Sequence, residues 1–299
     1  MRVVTWNLWW RFGPWAERQK AILAGLRELQ PDVVGLQEVW SADGENLAEW
    51  LAGELGLHWT WAASPASERW QRRIGEPGVE IGNAVLSRWP VVEREVLRLP
   101  APEELDDGRL ALYARLDAPG HPVPFFTVHL SSPLHASAVR RTQVTALAEF
   151  VAAHRGGTDF PPVVTGDFNA VPDSDEIRLF GGFRTAPVVP GQVFFDAWEY
   201  ADPAAPSATW DTANDYVHPG LGPSTRIDYV HVGAPAGPDG IGTVRHVQRA
   251  GDGPVDGVWP SDHAAVVVDL AAPAPVQQTP EDDGTLATGT SAAPGRSGC

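Results

Sequence analysis

The chain has 299 residues, 43% hydrophobic and 20% charged, enough apolar material for one large buried core. Its 38 acidic and 22 basic residues leave a formal charge of -16, which argues against a protein that coats duplex nucleic acid through a basic stripe but is compatible with a local cationic pocket. The single cysteine, Cys299, excludes an intrachain disulfide and a cysteine-based zinc site.

The N-terminal residues lack an apolar secretory core, and no apolar run approaches the 18 or so residues of a membrane span, so the expectation is a soluble cytoplasmic protein. Val3 to Leu8 is a short apolar run suited to a buried strand. Ile22, Leu26 and Leu29 form a helical stripe in Trp15 to Leu29, which Pro31 stops. Asp32 to Gln37 reads as a strand, Asn46 to Leu55 as a short helix and His58 to Ala62 as a strand. Pro65 to Gly78 shows no periodicity and reads as a loop. Strand-like runs follow at Ala84 to Leu86, Val91 to Leu99, Arg109 to Leu116 and Val123 to Leu130.

Ser137 to Ala153 is a predicted helix, and Val163 to Asp167 a strand ending in a Gly/Asn-rich turn. Gly181 to Pro219 is the main irregular region, a candidate for shaping specificity. Ile227 to Val232, Val244 to Gln248 and Ala264 to Leu270 complete the strands. This is the pattern of one α/β domain over residues 1–270 with a mixed sheet. Residues 271–299, rich in Ala, Pro, Thr, Gly and Ser, read as a disordered tail.

Polar groups recur at the ends of these apolar runs: Asn7, Glu38, His129, Asp167 with Asn169, Asp228, and Asp262 with His263. A carboxylate beside a hydrophobic strand must be paired, hydrogen-bonded or bound to a cation. Several from separate strands can converge at one sheet edge, where oxygen donors suit Mg²⁺ or Mn²⁺ and histidines add acid/base capacity. Taken singly, each has a bland reading as a solvated turn residue, a turn cap or a core histidine. Asp228, inside Ile227-Asp228-Tyr229-Val230, is the hardest to dismiss, with His263 its candidate partner. The seven other histidines read as surface or loop residues.

The ordered motifs Thr5-Trp6-Asn7, Leu36-Gln37-Glu38-Val39, Gly82-Asn83-Ala84-Val85-Leu86-Ser87-Arg88, Thr127-Val128-His129-Leu130, Gly166-Asp167-Phe168-Asn169, Arg226-Ile227-Asp228-Tyr229 and Ser261-Asp262-His263 resemble those of the endonuclease/exonuclease/phosphatase superfamily, over about residues 1–270. The resemblance implies a four-layer α-β-β-α sandwich with two packed mixed sheets and Mg²⁺-dependent hydrolysis of a phosphate ester, Mn²⁺ being an alternative ion. It implies that Asn7 and Glu38 hold the metal with Asp262 close by, that Asp167 deprotonates or orients the attacking water, and that Asn169 positions it. His263 would contact the scissile phosphate, oriented by Asp228, and His129 would bind phosphate or protonate the leaving oxygen. Asn83 and Arg109 would touch the substrate, and Glu80 would support His129. Ile81 stands where many relatives carry a tyrosine, so that contact is missing.

Substrate is less legible. Trp9, Trp10, Trp15 and Trp40 could line the cleft mouth or pack in the core. The basic stretch Glu68 to Arg73 could meet a second phosphate or be solvated. The acidic balance favours a small phosphorylated metabolite, a lipid head group or a short nucleic-acid end. A deoxyribonuclease acting on DNA and an inactive binding module on the same fold are the alternatives.

Overall fold

The computed structural model describes residues 1–235, 240–272 and 298. The chain runs β1 (Arg2–Asn7), α1 (Trp15–Leu29), β2 (Val33–Ala42), β3 (Glu45–Asn46), α2 (Leu47–Leu55), β4 (His58–Ala63), α3 (Ser67–Ile74), β5 (Glu80–Ser87), β6 (Val91–Arg98), β7 (Leu110–Leu116), β8 (Val123–His129), α4 (Ser137–His154), β9 (Val163–Asp167), α5 (Asp175–Gly181), β10 (Phe194–Asp196), β11 (Asp228–Gly233), β12 (Val244–Ala250) and β13 (Ala265–Leu270). No described helix is long and apolar enough to cross a membrane.

Two mixed sheets form. One has the order β12-β13-β1-β2-β5-β4, with β3 paired to β2; the other has the order β10-β11-β9-β8-β7-β6. Each contains one parallel pair, β1/β2 joined through α1 and β8/β9 joined through α4. Three apolar layers make this a four-layer α-β-β-α sandwich. Trp6, Leu26, Leu36 and Leu51 pack the helices onto the first sheet; Val3, Val33, Leu112, Phe125 and Val268 pack sheet on sheet; Phe126, Val128, Leu147 and Phe168 pack the second sheet onto α4 and α5. Burial on both faces explains why β1, β2, β8 and β9 read as continuous apolar runs rather than alternating ones.

Toward the site end the sheets approach closely, and the interface turns polar. Gln37 on β2 donates to Thr127 Oγ1 of the facing sheet at 2.8 Å. Gly35 lies against Thr165 and Thr127, and a side chain there would collide with the Thr165 hydroxyl and crowd Thr127, so the approach requires glycine. Gly166 has φ +150 and its missing Cβ would strike the Val128 carbonyl, which accounts for the glycine before Asp167.

Three expectations are corrected. Pro65 to Gly78 is not all loop: α3 is anchored by one buried residue, Trp70, whose indole donates to the Asp107 carbonyl at 3.0 Å, and it ends at Gly75 with φ +73. A short helix held by a single aromatic leaves no periodicity to read. The Gly181 to Pro219 region contributes the edge strand β10 and a 3₁₀ turn at Ala197–Tyr200. His231 is neither surface nor loop. It is buried on β11 among Phe168, Phe180 and Tyr229. The tail lies, from residue 273 on and Gly298 excepted, outside the described residues.

Burial, only partly countered by Asp196, pushes the His231 imidazole down to about 4. Its unfolded value is about 6.5, so between these pH values the unfolded chain binds a proton that the folded chain refuses. Stability contributed by neutral His231 is therefore present above about pH 6.5 and falls as pH drops toward 4, by about 3 kcal/mol in all. His231→Leu should remove this slope. Urea titrations of both proteins across that window check it, and parallel pH profiles would refute it.

Candidate active site

The site forms where the parallel strands of both sheets end, the place at which open α/β sheets present ligand groups. In the second sheet His129, Asp167 and Asp228 sit opposite one another on adjacent strands β8, β9 and β11. In the first sheet β1 ends at Asn7, paired with Gln37. β13 runs antiparallel to β1, so the Asp262-His263 segment preceding it arrives beside the end of β1. Ser261 Oγ donates to the Asn7 carbonyl at 2.6 Å, and the Trp6 indole donates to the His263 carbonyl at 2.9 Å, fastening that segment to the core.

Glu38 and Asn169 both adopt left-handed backbone, φ +54 and φ +49. The β2/β5 register breaks between Leu36 and Val39, lifting Glu38 out of the ladder. Such conformations cost of order 1–3 kcal/mol and persist where the surroundings over-determine them. The Asn169 backbone is held by its N–H donating to Asp167 Oδ1 at 2.8 Å, and its amide donates to the Leu130 carbonyl at 3.1 Å.

Asp167 is the hub. Asn7 Nδ2 donates to its Oδ2 at 3.0 Å, and that oxygen lies 3.2 Å from His129 Nε2 and 3.8 Å from His263 Nε2. Burial opposes ionisation of Asp167, but the two imidazoles together hold its carboxyl below the ordinary carboxylate range. His263 Nδ1 and Asp228 Oδ2 are 2.8 Å apart, with both side chains buried. Burial alone would lower His263; Asp228, Asp262 and Asp167 outweigh it and raise it well above the usual histidine value. Burial raises Asp228 and Glu38, and pushes Asp262 up to about 7.

His129 behaves differently. Arg109 Nη1 lies 2.5 Å from His129 Nε2 and donates to its lone pair. Burial first and Arg109 second lower its proton affinity, against the opposing pull of Asp167. Arg109 is fixed in turn by Asp107 at 2.9 Å, by Ser132 Oγ at 3.1 Å and by the Trp70 ring beneath it. Asn83 donates to the Leu110 carbonyl and lines the same cavity as Glu38, Arg109 and His129.

Asn7, Glu38, Asn83, Arg109, His129, Asp167, Asn169, Asp228, Asp262 and His263 are thus gathered at one place. Glu80 is not. Its side chain is exposed and among the described residues makes no hydrogen bond to His129; its backbone pairs with Ser41 in the sheet, and its carbonyl accepts from the Trp10 indole. The strand direction explains this: alternate residues of β5 face opposite sides, so Glu80 turns outward while Asn83 turns in. Trp10 and Trp40 are core residues of the outer layer, not a cleft mouth. Arg69 donates to the Glu103 carbonyl, and Arg73 lies over Trp70.

One residue escaped the sequence reading. Arg18, buried on α1, donates to the carbonyls of Leu8, Trp9, Trp10, Phe12 and Pro260. It knots the chain just after Asn7 to the chain just before Asp262. Burial lowers its guanidinium to about 10, countered by Asp262 and Glu38. Its signal was an arginine one turn ahead of Ile22 on the buried stripe.

The donor set fits a hard divalent cation. Four carboxylates crowd the site, and Glu38 Oε2 and Asp228 Oδ1 are buried with no hydrogen-bond partner. Asp167, Asp228 and His263 bring ligand atoms within 4.8 Å of one another, although His263 and Asp228 already satisfy each other through Nδ1 and Oδ2. Buried carboxylate oxygens without partners are costly, and a cation removes that cost.

A profile of the Endonuclease/Exonuclease/phosphatase family matches residues 4–263, nearly the whole described chain. The chain belongs to the endonuclease/exonuclease/phosphatase family. Its members hydrolyse phosphodiester or phosphate ester bonds and are generally dependent on divalent metals. No curated protein sequence matches the chain. Among solved structures it resembles an endonuclease/exonuclease/phosphatase from Beutenbergia cavernae DSM 12333 (25% identity, TM-score 0.69, covering 90% of this chain and 71% of that one). It also resembles D. rerio TDP2 complexed with single strand DNA product (20%, 0.67, 91% and 99%). The human Nocturnin catalytic domain with bound sulfate is a third such fold (20%, 0.65, 91% and 94%).

Proposed function

We propose that residues 1–270 form a Mg²⁺-dependent phosphoric ester hydrolase in which water attacks phosphorus. One observation carries the reading: acid, amide and imidazole groups from both sheets meet around Asp167, with His263 aligned by Asp228 at 2.8 Å. Asn7 and Glu38 would hold the ion, with Asp262 beside them; Mn²⁺ would also suit these oxygens. Bound there, the cation supplies charge stabilisation at the phosphoryl oxygens.

The rest is the work of the protein. Asp167, kept ionised by its two imidazole neighbours, accepts the proton of the attacking water, and Asn169 places that water. His263, kept cationic by the surrounding carboxylates and pointed by Asp228, offers Nε2–H to a phosphoryl oxygen. Arg109 and His129 act as one unit toward the phosphoryl group, with Asn83 in the same cavity. An inactive binding module is disfavoured because every member of this constellation is present.

A metal-dependent screen tests the reading, setting bis(p-nitrophenyl) phosphate, plasmid and single-stranded DNA, RNA, sphingomyelin, inositol phosphates and nucleotides side by side. DNA cleavage above all other substrates would favour the deoxyribonuclease version. No cleavage of anything with Mg²⁺ or Mn²⁺ would defeat the proposal. Glu38→Gln separates the metal role from a structural one: it should abolish most Mg²⁺-induced thermal stabilisation while leaving the melting temperature in chelator nearly unchanged. Equal loss in both conditions would make Glu38 structural.

A further inference from the structure

A groove of about 540 Å³ opens beside the candidate site and shares Asn169 and His263 with it. Pro133, Leu134, Val171, Trp210, Pro223 and Ile227 supply most of its wall, and His263 is the one ionisable side chain among its described lining residues. Leu134 is 81% exposed, the most exposed large hydrophobic side chain among the described residues, and Val171 is 40% exposed. Apolar residues scattered singly on a surface need no explanation; two on the rim of one cleft, one shortly after His129 and one shortly after Asn169, do.

The wall is held by backbone pairing. Trp210 is bridged to both Thr225 and His263, its N–H donates to the Thr225 carbonyl at 3.0 Å, and Ala264 N–H donates to the Thr209 carbonyl at 2.8 Å. Trp210 is thereby fixed to the segment that carries His263. The His129 side differs in chemistry: Glu38, Asn83, Asp107 and Arg109 bring charged and amide groups into a small cavity shared with Trp70, Ile81 and Leu110, and the groove along α3 is lined by Glu68, Arg69, Arg72 and Glu80.

We propose that the Leu134–Trp210 groove is the subsite for one ester group of the substrate, and that this group is an uncharged, apolar alcohol. A second phosphate placed there would meet no cationic side chain in the groove lining beyond His263 and would enter the field of a chain with formal charge -16. An alkyl or aryl group would instead displace water from wall residues that now face solvent. The inference rests on the phosphate-ester reading of the site and names the kind of ester it takes.

Calorimetric titration of the Mg²⁺-saturated protein tests it with inorganic phosphate, methyl-, hexyl- and phenylphosphonate, and thymidine 5′-monophosphate. Each fully buried methylene strengthens binding about fourfold, so hexylphosphonate, with five more methylenes, should bind on the order of 100-fold more tightly than methylphosphonate when three or four of them are buried, and about 1000-fold when all are. Phenylphosphonate should also surpass methylphosphonate, and comparison of the two apolar probes tells alkyl from aryl preference. Leu134→Asp, at an exposed position, and Val171→Asp should each bring the hexyl-to-methyl affinity ratio toward one. Equal binding of the hexyl and methyl compounds, an unchanged ratio in Leu134→Asp, or a nucleotide that outbinds both apolar probes would overturn it. If phosphate binds and diesters are cleaved while the series is flat, only this inference fails. If no phosphorus compound binds and no ester is cleaved, the hydrolase reading fails with it.

Discussion

Asp167→Ala and His263→Ala should each lower phosphodiester hydrolysis on the order of a thousandfold at saturating Mg²⁺ while the protein remains folded. The size follows from what each change removes. Asp167 is the acceptor for the Asn7 amide and for the Asn169 backbone N–H and lies in the field of two imidazoles, so its loss takes away the proposed base and slackens four neighbours. His263 is the one side chain of the site driven strongly toward the cationic form, and its alignment depends on Asp228, which is left with a buried and partnerless carboxylate when the ring is cut away. Initial rates on bis(p-nitrophenyl) phosphate, with melting curves alongside, measure both effects. A near-wild-type rate in either variant would show that the residue has been given the wrong role. Loss of rate in step with loss of fold would make the residue structural.

Arg18→Met should cost stability rather than chemistry alone, by about 3–5 kcal/mol, because it leaves several carbonyls around the Asn7 and Asp262 segments without their donor. For a domain of this size that is a fall of roughly 10 °C in melting temperature. The methionine fills much of the space, so the loss reports the missing donors more than a cavity. A second consequence separates Arg18 from an ordinary core residue: the two segments it joins carry proposed metal ligands, so the Mg²⁺ midpoint should also move to higher concentration. Thermal unfolding and Mg²⁺ titration of the same variant check both. An unchanged melting temperature would mean that water replaces the guanidinium at those carbonyls.

Most strands and the longer helices were legible because each is a contiguous signal. β1, β2, β8 and β9 are unbroken apolar runs, and α1 carries Ile22, Leu26 and Leu29 at helical spacing. The candidate site was legible as a set of polar residues at strand ends, in an order that resembles a known family. What resisted reading was each feature that depends on a partner distant in sequence. α3 exists because Trp70 finds the Asp107 carbonyl, and His231 is buried because Phe168 and Phe180 close over it. Glu80 and Asn83 share a strand and a motif, yet only one faces the cavity.

The amino-acid order by itself determined most of the strands and the longer helices, and which acids, amides and histidines stand at their ends, because hydrophobic periodicity and turn chemistry act locally. Tertiary structure alone decided that the proton affinity of His129 falls while that of His263 rises, that Arg18 ties the segments carrying Asn7 and Asp262 together, and that an apolar groove begins at His263. Those properties come from burial and from charges brought together across two sheets, and their energies depend on distance in space, which spacing along the chain does not encode.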